Sequence, residues 1–411
     1  MDLQINKNTP TIMHVDLNSC FATVEQQAYP HLRGKPIVIA AYTSPGGCVL
    51  APSIEAKKFG IKTGMTVRDA RLLYKDIIVR DPDPQLVRDV HIKFVKIFRD
   101  YSPLIYPKSI DEVVIEFNGA PAFKKGLKNI GYEIKERLKS EVGEWMLCNI
   151  GIGTNRFLAK LASSLHKPDG LDIIDYRNLL DIYSSVSLVD LHGINVRYEA
   201  RLNANGIFNP IQFLNAGENF LHKSVFKSIV GHYWYLRLRG WEVDDAEITR
   251  KSFGQDFALG KKTSDPIELS RILMKLCEKM GRRLRRADNE AFGIHLGLSY
   301  EGWGYWHKSK KFKSSAYTTD ELFRRAMLIF NMQPEKKTIV KISVSCFELV
   351  LAKSAQINLF DLQDKKRKVS EVMDEINDRY GEFVITPALM MNMDKLVLDR
   401  IAFGSVSELN S

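Results

Sequence analysis

Cysteine is scarce and unpatterned in this chain. The five cysteines (Cys20, Cys48, Cys148, Cys277 and Cys346) form no CxxC pair. An odd, scattered set excludes a zinc ribbon or a disulfide framework and points to a reducing cytosol. No apolar run approaches the roughly 20 residues that cross a bilayer. The polar start, Met1 to Asn8, carries no hydrophobic signal-peptide core. No HExxH occurs among the scattered histidines, and no GxSxG marks a hydrolase elbow. Gly151-Ile152-Gly153 lacks the third glycine of a dinucleotide fingerprint, because Arg156 stands there, and no acidic ribose ligand follows. No internal repeat is visible. Zincin, α/β-hydrolase, Rossmann and membrane-spanning classes therefore drop out.

What remains is a soluble, multidomain chain with a cationic bias. Its 411 residues are too many for one core and suggest two to four domains. The 59 Lys+Arg against 49 Asp+Glu leave a net charge of +10, which favours a polyanionic partner, nucleic acid before anionic membrane. Thr11 to Val15 reads as a short apolar strand ending at Asp16, followed by a turn into a helix capped by Asn18 or Ser19. Strands follow at Ile37 to Ala41 and Cys48 to Ala51. Pro84 to Tyr101 has helical periodicity, with Val87, Val90, Phe94 and Ile97 on one face. Ser109 to Phe117 and Met146 to Gly153 read as strands. Ala120 to Val142 reads as one long amphipathic helix, and Asn155 to His166 as another, stopped by Lys167-Pro168-Asp169-Gly170. This makes the first part of the chain an α/β or α+β layer. Tyr176 to Arg239 is helical, and Trp241 to Asp256 a polar linker candidate. Helix and strand patterns alternate again from Phe257 to Leu351, including a helix over Pro266 to Arg286 that ends in a basic run. The last stretch reads as a separate polar tail with a helix near Val369 to Tyr380.

Chemistry concentrates where apolar strands end in acids. Asp111 and Glu112 open the strand Val113-Val114-Ile115, and Asp16 ends Ile12-Met13-His14-Val15. The pair at 111–112 reads either as solvated turn charges or, with Asp16, as ligands of a metal that offsets the cost of burying carboxylates. Three carboxylates can hold two Mg²⁺ about 4 Å apart, as phosphoryl transfer requires. Adding a nucleoside triphosphate leaves a charge of about −3 for basic groups to meet. Lys57, Lys58 and Lys160 are candidates, although each lysine alone reads equally as a solvated helix face.

These residues, taken in order, resemble the Y-family (translesion) DNA polymerases, with features of the bacterial polymerase IV and polymerase V catalytic-subunit branches. The resemblance rests on Val15-Asp16-Leu17-Asn18-Ser19-Cys20-Phe21-Ala22-Thr23-Val24-Glu25, Arg33-Gly34-Lys35-Pro36, Glu55-Ala56-Lys57-Lys58-Phe59-Gly60-Ile61 and Ser109-Ile110-Asp111-Glu112. Gly151-Ile152-Gly153-Thr154-Asn155 through Ala159-Lys160-Leu161-Ala162 and Lys167-Pro168-Asp169-Gly170 complete it. It implies an α+β multidomain right hand. The palm would comprise 10–30 and 85–175, the fingers 31–84, and the thumb with a helix-hairpin-helix 176–240. A linker at 241–256, a little finger at 257–352 and a C-terminal tail at 353–411 would follow.

The resemblance implies template-directed addition of dNTPs to a primer 3′ end by two-metal phosphoryl transfer, of low fidelity, tolerant of damage and without proofreading. Asp16, Asp111 and Glu112 would be catalytic and hold two Mg²⁺ with the carbonyl of Leu17. Phe21 would be the steric gate against a 2′-hydroxyl, though in isolation it reads as a core aromatic. Lys57 and Lys160 would contact the triphosphate, and Cys48 and Leu50 would roof the nascent pair. Ile54, Lys57 and Asn18 depart from the archaeal and polymerase IV-like pattern, where an aromatic, an arginine and a second acid stand.

Leu191 to Leu202 resembles the thumb hairpin, in which Gly193 and Asn195 would present backbone N–H groups to a DNA phosphate, with Asn195 left-handed in place of a second glycine. A plain αα-turn is the alternative. Arg282, Arg283, Arg285, Arg286, Lys310 and Lys311 would track phosphates without reading sequence. Gln356-Ile357-Asn358-Leu359-Phe360 resembles a sliding-clamp peptide anchored by Gln356, Leu359 and Phe360. The implied partners are primer–template DNA, dNTP and the clamp, and the implied state a cytoplasmic, nucleoid-associated monomer. A non-catalytic accessory protein on the same fold and a nucleotidyl cyclase are the rivals. Retention of all three acids opposes the first, and the thumb hairpin and basic extra domain oppose the second.

Overall fold

The computed structural model describes residues 4–245, 250–302, 304–352, 363–393 and 397. The chain forms two compact units, one reaching to residue 246 and one from 247 to 399.

The first unit is organised by a five-stranded sheet. Its central strand, β1 (Ile12–Leu17), runs into α1 (Cys20–Ala28). A three-stranded sheet follows, formed by β2 (Ile37–Ala40), β3 (Val49–Pro52) and, after α2 (Ile54–Lys58) and α3 (Val67–Leu73), β4 (Ile78–Arg80). β2 is antiparallel to β3 and parallel to β4. α4 (Pro84–Arg99) starts where Asp83 accepts from the N–H groups of Gln85 and Leu86, with proline in its first turn. β5 (Leu104–Pro107), β6 (Glu112–Glu116), α5 (Leu127–Arg137), β7 (Cys148–Gly153), α6 (Arg156–Leu165) and β8 (Leu171–Ile174) complete the layer. The order across the main sheet is β5-β6-β1-β7-β8.

Alternation divides β1 between two faces. Met13, Val15 and Leu17 enter a core with Phe21, Phe94 and Phe98, whereas Ile12 packs with Val114 and Ala159 of α6. Gly151 and Gly153 are what allow α6 to lie this close. A Cβ at Gly151 would stand 2.0 Å from the Ala159 carbonyl oxygen, and one at Gly153 2.6 Å from the Ala159 nitrogen. Their role is helix packing.

The single helix expected over Ala120 to Val142 is three pieces. A 3₁₀ turn (Pro121–Lys125) is stopped by Gly126 at φ +80°, α5 follows, and a π turn (Leu138–Val142) widens its end.

Helices α7 (Leu179–Ser185), α8 (Val196–Asn203), α9 (Pro210–Asn215), α10 (Glu218–Phe220) and α11 (Val230–Leu238) make a third core around Tyr183, Phe213 and Trp234. Part of the expected linker belongs to this unit. Asn155 donates to the Trp241 carbonyl, the Arg156 N–H donates to Glu242, and Arg237 pairs with Asp244.

The second unit is an antiparallel sheet in the order β11-β10-β12-β9. Its strands are β9 (Ser252–Thr263), β10 (Asn289–Tyr300), β11 (Tyr305–Ala316) and β12 (Ile339–Leu351). α12 (Pro266–Arg286) and α13 (Thr319–Phe330) bury Leu273, Leu276 and Leu322 with Leu296 and Val344. The described residues of the segment expected as a separate polar tail, 363–393 and 397, are part of this body. α14 (Gln363–Tyr380) is tied to α12 by ion pairs, and Met390 and Met393 enter the core. Among the described residues no helix is long and apolar enough to cross a membrane.

Candidate active site

Strand register brings the acids together. Asp16, one residue from the end of β1, lies opposite Glu112, the first residue of antiparallel β6, and the Leu17 N–H donates to the Asp111 carbonyl at 2.9 Å. Side chains from segments almost a hundred residues apart therefore line one open cleft of about 360 Å³, with Phe21, Leu50 and Lys57 among its other walls.

The three carboxylates differ in environment. Burial raises the pKa of Asp111, and the nearby Asp16 and Glu112 raise it further, against a 2.5 Å hydrogen bond from the Ser109 hydroxyl. Burial pushes Glu112 the same way, but His14 and Lys160 overcome it and hold the group at about 2. The Lys160 ammonium stands 2.6 Å from Glu112 and the His14 ring 3.7 Å away. Asp16 is paired with the ammonium of Lys167.

Among the described residues, no three His, Cys, Asp or Glu side chains are drawn into a closed metal-ligand set. Two ammonium groups are seated on the acids instead. Three hard oxygen donors facing one cleft, one with its pKa raised by burial and by like charge, are nevertheless the donor set that suits a divalent cation with oxygen preference. The residues fit such an ion.

Lys167 was not legible as a site residue, because Lys167-Pro168-Asp169-Gly170 reads as a helix stop. Its position depends on Asn18. The buried Asn18 side chain accepts from the Asp169 N–H at 2.9 Å and donates to Asn149 at 2.8 Å, fixing the loop that carries Lys167. Where the family pattern has a second acid, this chain thus has a brace. Lys57 leaves α2, which Ser53 caps. Burial lowers its pKa, as does the charge of Lys167, while Asp16 opposes both.

Phe21 is buried in the core and also walls the cleft. Leu50 lines the cleft, but Cys48 is exposed on an isolated bridge to Thr66 and is not among its walls. Leu17 contributes its side chain to the core while lining the cleft.

The DNA-contact residues expected from sequence divide. Gly193 is left-handed at φ +100°, but Asn195 is extended (φ −99°) and caps α8 by accepting from the N–H groups of Arg197 and Tyr198. Its left-handed expectation is corrected, and two N–H groups at that helix start are already engaged.

Arg282 and Arg285 are buried rather than presented to solvent. Arg285 grips Asp374 with two hydrogen bonds of 2.6 and 2.9 Å, and Arg282 reaches Asp378 at 2.6 Å and Glu382 at 3.3 Å. For these two, the phosphate-tracking expectation gives way to anchoring of α14. Arg286 is also paired to Asp378, at 2.9 Å, and Arg283 bonds to the Gly254 carbonyl and to Gln255. Lys310 and Lys311 are exposed on β11, Lys311 paired with Glu348. Gln356, Leu359 and Phe360 lie outside the described residues.

Comparison with known proteins agrees with this geometry. Residues 15–164 match the impB/mucB/samB family, and residues 250–359 match the C-terminal domain of that family. The chain is 30% identical to a DNA polymerase IV of Pelotomaculum thermopropionicum over 95% of its own length and 97% of the relative's. It is 30% identical to a DNA polymerase IV of Moorella thermoacetica, over 93% and 96% of the two chains. DNA polymerase IV 1 of Bacillus subtilis is 28% identical over 91% of each. Among solved structures, a Y-family DNA polymerase chimera superimposes with a TM-score of 0.70 at 22% identity, covering 83% of this chain and 99% of the other.

Proposed function

The chain belongs to the impB/mucB/samB family and is a DNA-directed DNA polymerase of the Y-family, polymerase IV-like, and from that premise we propose a residue-level account of its chemistry. The observation that carries the account is the register of β1 against β6, which sets Asp16, Asp111 and Glu112 on one cleft. These three, with the Leu17 carbonyl, would hold two Mg²⁺. When bound, such a pair supplies the positive charge against which an attacking 3′-oxygen and a departing pyrophosphate can both be stabilised.

The protein's own part is positioning and charge. Lys57 and Lys160, joined by Lys167, take up the triphosphate. For Lys160 and Lys167 this means exchanging a carboxylate partner for a phosphate as substrate and cations arrive. Phe21 lies flat against the sugar and leaves no room for a 2′-hydroxyl. Leu50 and the small residues near it leave a loose roof over the nascent pair, which favours low fidelity and passage of damaged templates. No side-chain cluster among the described residues is assigned to proofreading. The DNA is gripped without sequence reading, through the Gly193 hairpin and through exposed lysines such as Lys310. Gln356 to Phe360 would tether a monomeric, cytoplasmic enzyme to the sliding clamp.

Primer extension across an abasic template site tests this reading. Product from the wild type and its loss in Asp111→Ala are expected. Equal product from both would refute the assignment of the acids.

A further inference from the structure

The chain has nine histidines, and those of the first unit find their partners there. His14, His166 and His232 each stand beside a carboxylate, and the His91 ring meets the Ile110 carbonyl at 2.9 Å. In the second unit His295 and His307 face each other instead, and among the described residues neither makes an ion pair. Register brings them together. In antiparallel β10 and β11, Gly297 lies opposite His307 and Ser309 opposite His295, so the two imidazoles are diagonal neighbours on one face of the sheet. Alternation sends Ile294, Leu296 and Leu298 into the core and leaves His295 on the other face.

The surroundings hold the pair and leave it room. Ser309 and Ser345 flank His295 on the two adjacent strands. Gly297 lets Tyr305 lie down over the sheet, since a Cβ there would stand 2.6 Å from the Tyr305 hydroxyl oxygen. The Tyr305 ring stacks on His307, with 5.3 Å between centroids and 25° between planes, and so restricts the rotamers of that imidazole. The spacing of the two rings is the informative quantity. His295 Nε2 is 3.4 Å from His307 Nδ1, which is long for a hydrogen bond. Two nitrogens bound to Zn²⁺ at about 2.0–2.1 Å and a tetrahedral angle stand roughly 3.3–3.4 Å apart. Burial lowers the pKa of His295, and the charge of His307 lowers it further, which favours the neutral form that a metal takes.

We propose that His295 and His307 form a cross-strand chelate for a divalent cation of the Zn²⁺ class, one that prefers imidazole, and that the ion staples β11 to β10. No third His, Cys, Asp or Glu joins them among the described residues, so water completes the coordination and the site stays open to solvent. Its chemistry differs from that of the cleft, whose carboxylates suit hard, oxygen-preferring cations. None of its residues belongs to the cleft, and the inference does not depend on the polymerase reading. β11 is an edge strand, paired only to β10. A chelate that exists only while those two strands are in register stabilises the folded second unit when the ion binds.

The test titrates full-length protein with Zn²⁺ by isothermal calorimetry, in excess Mg²⁺ so that the carboxylate cleft is already occupied. About one Zn²⁺ should bind per chain. His295→Ala and His307→Ala should each weaken that binding by roughly 10–100-fold, since a lost ligand costs no less than a lost outer-shell partner. His295→Gln and His307→Gln, which keep a polar side chain of similar size, should lose it equally, so that loss of the metal is separated from loss of the fold. Zn²⁺ should raise the unfolding temperature of the second unit in the wild type and leave it unmoved in all four variants. Co²⁺ in place of Zn²⁺ should give the intense visible absorption of a tetrahedral site. Absence of Zn²⁺ binding in excess Mg²⁺ would overturn the proposal, as would affinity unchanged by the histidine variants. Loss in the variants of only one histidine would reduce the chelate to a single imidazole and overturn it too. Binding abolished by Asp111→Asn yet indifferent to both histidines would place the ion at the acids instead.

Discussion

Two concentrations of charge stand out in this chain, and they end differently. At the mouth of β1 and β6, three acids share a cleft with two lysines, and burial together with like-charge repulsion raises Asp111. At the end of α12, three of the four arginines in five residues meet acids from α14, Asp374 and Asp378, while Arg283 bonds to Gly254 and Gln255. One cluster is incomplete and the other is closed by its own chain. Density of charge along a sequence therefore says little about function. What decides is whether the counter-charge arrives from within the fold.

The largest expected effect separates the two directly. Asp111→Asn should cost roughly 10²–10³-fold or more in single-turnover incorporation, the scale seen when a group that stabilises transition-state charge is removed. It should cost little stability, because it relieves repulsion. An unfolded variant would mean the acids are structural like the arginines.

Next comes the closed cluster. Arg285→Met leaves Asp374 with only the longer 3.8 Å contact to Arg282 and should destabilise the second unit by about 3 kcal/mol in urea unfolding, since breaking a buried pair leaves a charge poorly compensated. Arg285→Met with Asp374→Leu should recover much of this. No loss in the single variant would show that α14 is not anchored there.

A smaller effect is a pH dependence. The carboxyl of Glu112 is depressed from an ordinary 4.5 to about 2. Its stabilising contribution, roughly 3 kcal/mol at most, is present above pH 4.5 and is lost as pH falls toward 2. Lys160→Met should partly flatten that limb of the acid-unfolding curve, the rest being held by His14, and an unaltered curve would remove Lys160 as a cause. The smallest expected change is in selectivity. Phe21→Ala should raise ribonucleotide incorporation by about tenfold or more while sparing dNTP use, and unchanged sugar discrimination would leave Phe21 a core residue only.

The same contrast explains what the sequence made legible. Acid-tipped apolar strands are visible because strand ends and carboxylates are local, and Asp16 facing Glu112 follows once both strands are seen to end there. The basic run was equally visible, but its partners lie about ninety residues further on, beyond any periodicity. Lys167 was hidden because its loop has the composition of a helix stop, and what aims it is Asn18, distant in sequence. The amphipathic pattern over-extends the helix over Ala120 to Val142, since it tolerates Gly126, whose left-handed backbone ends a turn. Asn195, which stands where the resemblance has a glycine, acts by its side chain rather than its backbone.

The most direct measurement counts cations. Mn²⁺ titrated into the full-length protein with primer–template and a non-hydrolysable dNTP, followed by electron paramagnetic resonance, should show about two bound ions per chain. Asp16→Asn and Asp111→Asn should each lower that number, because strands far apart in the chain contribute to one site. Equal occupancy in the wild type and both variants would contradict the account.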